Sequence, residues 1–370
     1  MRESDKSIIR LECNSIVLGE LPQGCVMCRK GGKAVVFITG LCPVNCFYCP
    51  ISFERKGRDV TYINESKVSS IEDVIAEIEQ TQALGCSITG GEPLVVIGRV
   101  IEYIETLKSY FGSKFHIHLY TSAYRIRRDD VRRLWRAGLD EIRFHIVYLK
   151  STLRALEYAI KNTSMDVGVE IPVIPSKKEF YKKLLKTLDN IGVKFINLNE
   201  LEITESNYDK LLLRGFKARS DYPVGVEGSE SLAIELVEWA KENLKSMSVH
   251  YCSALFKDAI QTRRRLLRSA LFLKEPYEDI TEEGLLRKLI IRGSRNIILT
   301  LYDILAREIG KDKVKLIKVN EHYEIHTSRC AIKLILKLNG NIRYRLRIFE
   351  VEEYPTSDRI RVLEEPYTLK

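Results

Sequence analysis

The stretch Ala34-Val-Val-Phe-Ile-Thr-Gly-Leu-Cys42-Pro-Val-Asn-Cys46-Phe-Tyr-Cys49-Pro50 decides how this sequence is read. Ala34 to Ile38 are apolar and rich in β-branched and aromatic side chains, the pattern of a short buried strand. Thr39-Gly40 end that run, and three cysteines follow at x3 and x2 spacing within one compact loop. A strand running into a thiol-rich loop places the thiols at its carboxyl end, where ligands bind in parallel α/β folds. Three thiolates can hold three irons of a cubane and leave the fourth iron open, whereas electron-transfer cubanes usually take four cysteines. The plainer alternatives are a zinc site or chance clustering, but zinc normally wants a fourth nearby Cys or His and paired knuckles.

Outward from this strand the pattern repeats. Phe115-His-Ile-His-Leu119, Ile142-Arg-Phe-His-Ile-Val147, Val167-Gly-Val-Glu-Ile-Pro-Val173 and Phe195-Ile-Asn-Leu198 read as strands, with Cys86–Thr89 and Ser248–Cys252 as less marked examples. Helical periodicity lies between them, over 71–84, 96–111, 130–137, 153–161, 179–191 and 232–244. Ser70 with Asp73 and Ser176 with Glu179 resemble capping boxes. Alternating strands and helices predict a parallel sheet, either closed into a barrel or left open and doubly wound. In both cases the loops after Ile38, Thr89, Leu119, Val147, Val173 and Leu198 form the expected functional face.

After a basic stretch over 256–273 the alternation stops. Residues 285–309 read as helix, and Val314–Ile317, Tyr323–Ile325, Ala331–Leu338 and Ile342–Val351 as strands joined by turns at Asn320-Glu321 and Asn339-Gly340. The boundary is expected near Glu275-Pro276. This gives an amino-terminal segment over 1–32, an α/β domain over 33–275 and a smaller α+β module over 276–370.

Composition bounds the function. The 370 residues are 45% hydrophobic and 29% charged, which excludes a disordered chain or a small stapled scaffold. A net charge of +9 permits an anionic partner without requiring one. Charged residues interrupt every long apolar stretch, and Met1-Arg-Glu-Ser-Asp-Lys6 lacks the apolar core of a signal peptide, so a cytoplasmic protein with no membrane association is expected. Five of the nine cysteines fall between Cys25 and Cys49, and in a reducing compartment such clustering points to metal ligation over disulfides.

The cysteine loop resembles the signature of the radical S-adenosylmethionine superfamily, in which an aromatic residue, here Tyr48, precedes the last cysteine. The resemblance implies a partial or complete βα barrel with a smaller C-terminal α+β module. It also implies a 4Fe-4S cluster on Cys42, Cys46 and Cys49, and S-adenosyl-L-methionine bound at the open iron. One electron from a low-potential donor then cleaves the sulfonium to methionine and a 5′-deoxyadenosyl radical, which abstracts hydrogen from a substrate. Thr89-Gly90-Gly91-Glu92-Pro93 resembles the family's Gly-Gly-Glu-Pro motif, with glycines that let backbone approach the methionine moiety and a carboxylate that accepts from its ammonium. In isolation a Gly-Gly pair is also an ordinary turn. Ser122 and His145, near later strand ends, are further candidate cofactor contacts, although such residues are more often satisfied locally. The arrangement of Gln23-Gly-Cys25-Val-Met-Cys28 just before the first strand resembles an archaeal group described as related to pyruvate formate-lyase activating enzyme.

Cys25 and Cys28 form half of a zinc or auxiliary iron-sulfur site, with Cys252 and Cys13 as suppliers of further ligands. Geometry stands against the set: Cys25 and Cys28 precede the first strand at its amino end, whereas Cys252 ends the last strand on the opposite face. Cys86 and Cys330 read as buried filler. The basic stretches over 124–136 and 256–273 are most simply solvated helix faces, with an RNA-binding surface as the sharper reading. The sequence thus predicts a radical S-adenosylmethionine enzyme of undefined substrate. Its rivals are a glycyl-radical activase, a tRNA- or protein-modifying enzyme with an auxiliary metal, and a non-enzymatic zinc-bound RNA-binding protein.

Overall fold

A computed structural model of the chain describes residues 7–338 and 345–368. The opening residues 1–6, the Asn339-Gly340 turn and the start of the strand expected at Ile342 lie outside these. The chain forms two compact units, one running to Glu79 and from Ala83 to Thr262, the other comprising Gln80–Gln82 and the chain from Arg263 onward.

The first unit is built on an eleven-stranded sheet. Its centre is a ladder of seven parallel strands in chain order: β1 (Lys33–Thr39), β2 (Gly85–Gly90), β3 (His116–Thr121), β4 (Glu141–Phe144), β5 (Asp166–Val173), β6 (Phe195–Glu200) and β7 (Ser248–Cys252). Helices Ile71–Gln80, Ile97–Phe111, Arg128–Arg136, Leu149–Asn162, Lys178–Asn190 and Ser229–Asn243 connect them. Sequential order means that every crossover returns on the same side, so this sheet is singly wound and the doubly wound alternative falls. Antiparallel strands extend both edges, Thr61–Ile63 beside β1 and Ile16–Leu18 beside β7, so the described sheet is an open, partial barrel.

The strands alternate. Val36, Ile88, Leu119, Phe144, Val169, Leu198 and Tyr251 face the helices and belong to one large buried apolar cluster. Their neighbours face the other way and are mostly polar. On that inner side lies the short helix α1 (Gln23–Arg29), packed against β1, β2 and β3. Of the two expected capping boxes, Ser70 and Asp73 form theirs, the Ser70 amide donating to Asp73 and the Asp73 amide to Ser70 Oγ. The Ser176 box does not form, because the chain makes a 3-10 turn at Pro175–Lys177 and the helix starts only at Lys178.

The second unit is an antiparallel sheet backed by helix Arg295–Ile309, whose Ile298, Leu301 and Leu305 are buried. Two sequence expectations need correction. Residues 285–309 are not one helix, since Leu286–Arg292 is the central strand and Gly293-Ser294 break the run before the helix begins. The strand expected over 331–338 is a 3-10 turn at Arg329–Ala331 and a short helix at Ile332–Leu336. Lys333 and Lys337 there are spaced one helical turn apart, a signal that the apolar alternation concealed. Cys330 is exposed rather than buried. Among the described residues no helix is long and apolar enough to cross a membrane.

Candidate functional site

A strand buried on both faces of a parallel sheet normally reads as a continuous apolar run. Here the inner positions carry Lys33, Ser87, His118, Tyr120, Arg143, Glu170, Asn197, Asn199 and Cys252, and polar side chains are retained in an interior only where they are mutually satisfied or used. Together with the loops at the carboxyl ends of the strands, most of them line a single cavity of about 470 Å³. Cys42, Cys46, Tyr48, Cys49, Gly90, Gly91, Pro93, Ser122 and His145 all border it, as do Cys25, Cys28 and Cys252.

At the mouth, Cys42 is exposed while Cys46 and Cys49 are half-buried. Partial burial raises the Cys42 and Cys46 thiols above their ordinary pKa. The loop is tied down from two sides. Asn207 Nδ2 donates to the Tyr48 carbonyl at 3.1 Å and Ser206 Oγ to the Cys49 carbonyl at 3.4 Å. The Tyr48 hydroxyl lies 2.9 Å from His145 Nε2, and His145 Nδ1 lies 3.1 Å from the Glu170 carbonyl. A carbonyl only accepts, so Nδ1 carries the proton and Nε2 accepts from Tyr48. Burial lowers the His145 pKa, in keeping with this neutral tautomer.

The glycine run is zipped to the start of the cysteine loop: the Gly91 amide donates to the Thr39 carbonyl and the Glu92 amide to the Leu41 carbonyl, each at 2.8 Å. A Cβ on Gly91 would lie 2.3 Å from the Leu41 oxygen, so only glycine allows this approach. Glu92 is fully buried, and its side chain is not among the cavity-lining groups. Its Oε1 accepts from Thr121 Oγ1 at 2.7 Å and the Leu94 amide at 3.1 Å, and its Oε2 from the Ser122 amide at 2.7 Å and the Ser122 hydroxyl. With four protein donors in place, this carboxylate braces the end of β3 against the glycine run.

The floor is where sequence reasoning missed most. α1 enters from the inner face, and Cys25 and Cys28, one turn apart on it, reach the cavity beside Cys252 without any amino-terminal loop folding over the barrel mouth. Asn197 Nδ2 donates to Cys25 Sγ at 3.3 Å. Burial pushes the Cys25 thiol up to about 11 and raises that of Cys252. Cys13 is not brought here; it sits in the Glu12–Asn14 turn, where its carbonyl accepts from Ser253 Oγ at 2.6 Å. Arg143 Nη1 donates to Glu170 at 2.8 Å and to the Tyr120 hydroxyl at 3.2 Å, while its Nε is paired with Glu141. Burial alone would raise the Glu170 pKa, but Arg143, Asn199 and Asn197 reverse this and hold it at about 2. A π-helical stretch, Lys257–Thr262, brings Lys257 and Gln261 to the cavity wall, with Lys257 ion-paired to Glu202. Single π turns of this kind occur often at functional sites.

The basic stretches are engaged close to home. Arg132 pairs with Asp129 at 2.9 Å, Arg127 with Asp130 at 3.5 Å, and the Arg128 guanidinium lies over the Tyr158 ring. Arg263 donates to the Glu282 carbonyl and Arg268 to that of Gln82. These contacts support helix faces rather than an RNA surface.

As the side chains stand, no group of three or more His, Cys, Asp or Glu among the described residues is gathered so as to hold a metal ion, the mouth thiols included. The donor set nevertheless fits a cluster: three thiols of one loop border a cavity whose adjoining wall is a glycine run with no side chains to obstruct a ligand. What the fold and this wall define is a partial-barrel enzyme with a thiol loop at the end of its first parallel strand.

Comparison with known proteins agrees. The Radical SAM superfamily model matches residues 36–162. A Methanocaldococcus jannaschii protein, named as a candidate glycyl-radical enzyme activating enzyme, is 37% identical over 362 residues, covering 95% of this chain and 94% of that protein. Streptococcus suis SuiB bound to S-adenosylmethionine superposes with a TM-score of 0.43 at 12% identity, over 61% of this chain and 51% of that one. Coproporphyrinogen III oxidase from Escherichia coli gives 0.37 at 10%, over 61% and 56%. The chain thus matches about half the length of these solved structures. It belongs to the radical S-adenosylmethionine superfamily. Membership makes it an enzyme that uses a 4Fe-4S cluster and one electron from a reductant to cleave S-adenosylmethionine to methionine and a 5′-deoxyadenosyl radical for hydrogen abstraction.

Proposed function

We propose that Cys42, Cys46 and Cys49 hold the cluster, and that Gly90, Gly91, Pro93, Ser122, Tyr48 and His145 shape the cofactor site beside it. The observation that carries this reading is that the three thiols and the glycine run border one cavity at the carboxyl ends of adjacent parallel strands. Gly90 and Gly91 present backbone to the ligand, and Tyr48 and His145 fix the last cysteine of the loop relative to β4. Glu92 holds Ser122 and the glycine run in register and acts on the cofactor through them.

We further propose that the enzyme is a glycyl-radical activase, whose substrate hydrogen belongs to a glycine of a partner enzyme. The name of the Methanocaldococcus jannaschii relative supports this at 37% identity across nearly the full length of both chains. A low-potential electron donor is the second partner. A second metal, iron-sulfur or zinc, at Cys25, Cys28 and Cys252 is proposed on the convergence of these thiols at the cavity floor.

Anaerobic reconstitution with iron and sulfide, reduction with dithionite and chromatography of the products test the first reading. 5′-Deoxyadenosine is expected even without substrate, and its absence from fully loaded protein would end the assignment of the loop. For the activase reading, the protein is mixed with glycyl-radical enzymes from its own source and the glycyl radical is sought by electron paramagnetic resonance. Cofactor cleavage with no glycyl radical on any of them would defeat it.

A further inference from the structure

The candidate cofactor residues all come from one side of the partial barrel. Cys42, Cys46 and Cys49 follow β1, Gly90 and Gly91 lie at the end of β2, and Ser122 and His145 follow β3 and β4. The remaining wall, from β5 onward, brings Ile171, Pro172, Asn199, Glu202, Lys257 and Gln261 to the same cavity. None of these has yet been given a task.

Charge is the first selector of a ligand for this wall. The charged side chains lining the cavity are three cations, Lys33, Arg143 and Lys257, and three anions, Glu170, Glu200 and Glu202. Arg143 pairs with Glu170 and Lys257 with Glu202, so the wall is balanced as it stands. A ligand group with a net charge would lose water here and find no free counter-ion, which is strongly unfavourable. What sits against this wall is therefore neutral.

Hydrogen bonding is the second selector. Asn197 is used at both ends, its Nδ2 donating to Cys25 Sγ and Glu170 and its Oδ1 lying 3.1 Å from His250 Nδ1. Asn199, further along β6, donates to Glu170 Oε1 at 3.0 Å, but its Oδ1 has no partner among the described residues. Gln261 lies one turn beyond Lys257 on the π-helical stretch, and neither end of its carboxamide has a partner among the described residues. A ligand that covers these groups displaces water from them, and it loses affinity unless it offers N–H to the two oxygens and a carbonyl to the Gln261 amine. A neutral group carrying both N–H and C=O is a peptide group. We infer that the wall from β5 to β7 is the substrate subsite, and that Asn199 and Gln261 determine its specificity by hydrogen-bonding an uncharged peptide group next to the hydrogen that is removed. This rests on the activase reading above, in which that hydrogen belongs to a glycine within a polypeptide. It adds that free glycine, charged on both sides of the reacting carbon, is rejected. The transfer moves one hydrogen atom: the C–H bond at the glycine Cα breaks, the same hydrogen becomes bonded to the 5′ carbon of the deoxyadenosyl radical, and the unpaired electron stays on Cα.

The test uses the full-length reconstituted protein with S-adenosylmethionine and acetyl-Ala-Gly-Ala-amide, its glycine deuterated at Cα. Equilibrium dialysis before reduction gives the Kd of the peptide, and mass spectrometry of the 5′-deoxyadenosine formed after reduction reads deuterium transfer. Binding and label are expected from the blocked peptide, with deuterated free glycine about tenfold or more poorer in both. Gln261→Leu and Asn199→Ala should each raise the peptide Kd about fivefold, the worth of one hydrogen bond. Gln261→Glu should instead turn the preference from the acetylated peptide toward Gly-Ala-amide with a free amino group, a reversal that mere loosening of the wall would not produce. Label from the peptide with neither Kd nor preference moved by these substitutions would keep the activase reading and overturn the role of the two carboxamides. Free glycine binding as well as the blocked peptide would overturn the neutral subsite. No binding and no label from the peptide would overturn the inference as a whole, while the glycyl-radical measurement with partner enzymes decides separately whether the activase reading stands.

Discussion

Two sets of three cysteines border one cavity and differ in almost every physical respect. Cys42, Cys46 and Cys49 stand on a loop at the mouth, partly open to solvent, and the loop is held by hydrogen bonds from Asn207 and Ser206 and by one from Tyr48 to His145. Cys25 and Cys28 stand on a helix and Cys252 at a strand end, among Lys33, Arg143, Glu170 and Asn197. A loop can rearrange around a cluster that must also accept and release a cofactor. A floor set into rigid elements and a charge network has far less room to rearrange. The comparison teaches that exposure and anchoring, more than the number of thiols, distinguish the two sets.

The largest effect expected from this contrast is at the mouth. Replacing any one of Cys42, Cys46 or Cys49 by Ala should reduce 5′-deoxyadenosine formation to background, because two thiolates no longer retain a cubane with one open iron. Cys28→Ala should leave that cleavage measurable while removing metal from the floor. Equal loss of cleavage from both substitutions would show the two sets to be one functional unit.

Next comes Gly91→Ala. The added Cβ meets the Leu41 and Gly40 carbonyl oxygens at 2.3 and 2.8 Å, which are backbone atoms and cannot rotate away. The glycine run must separate from the cysteine loop, at a cost of about 1–3 kcal/mol by analogy with overpacked cores. Cofactor affinity measured by equilibrium dialysis should fall more than Tm does, since the displaced segment is the ligand wall.

Much of this was legible in advance, and the reasons are particular. The cysteine loop and the Gly90-Gly91 run could be read because their chemistry is local in sequence and each directly follows its strand. The seven strands stood out through β-branched and aromatic runs, and their sequential order, which residue patterns do not encode, chose the partial barrel. The polar floor around Cys25, Cys28 and Cys252 was missed because it is assembled from single residues on five segments, Lys33, Tyr120, Arg143, Glu170 and Asn197. A signal was nonetheless present. His116-Ile-His118-Leu-Tyr120 and Asn197-Leu-Asn199-Glu200 place polar residues at every second position of strands that the helix pattern requires to be buried, which marks an inner face that is used. The place of Glu92 could not be foreseen, since its partners Thr121 and Ser122 come from another strand end.

The floor predicts a pH response of its own. Glu170 has its pKa held at about 2, below the ordinary 4.5, so its ionised form is favoured in the fold. A depressed carboxylate contributes stability in full above its unfolded value and loses it as pH falls through the folded one, so the contribution should disappear between about pH 4.5 and 2. Glu170→Gln should flatten the decline of Tm across that window, and an unchanged acid profile would show that Arg143 is balanced chiefly by Glu141. Close to this in size, Glu92→Gln places an amide donor against either the Ser122 amide or the Leu94 amide, since each donates to a different carboxylate oxygen. At about 1–3 kcal/mol for a buried group left unsatisfied, it should lower Tm and weaken cofactor binding without removing iron.

The smallest expected effect tests the tether between mouth and barrel. Tyr48→Phe removes one hydroxyl and keeps the ring, which packs edge-on against Phe47 and His145. The lost hydrogen bond to His145 Nε2 is worth about 1 kcal/mol, enough to be seen in Tm but small beside the loss of a thiolate. His145 keeps its Nδ1 proton on the Glu170 carbonyl, so its tautomer should persist and the floor should not move. Cluster content should therefore stay near that of the parent, with 5′-deoxyadenosine formation reduced less than tenfold. A variant that loses its iron would instead show that the Tyr48–His145 contact, and not the Asn207 and Ser206 bonds, is what holds the cysteine loop.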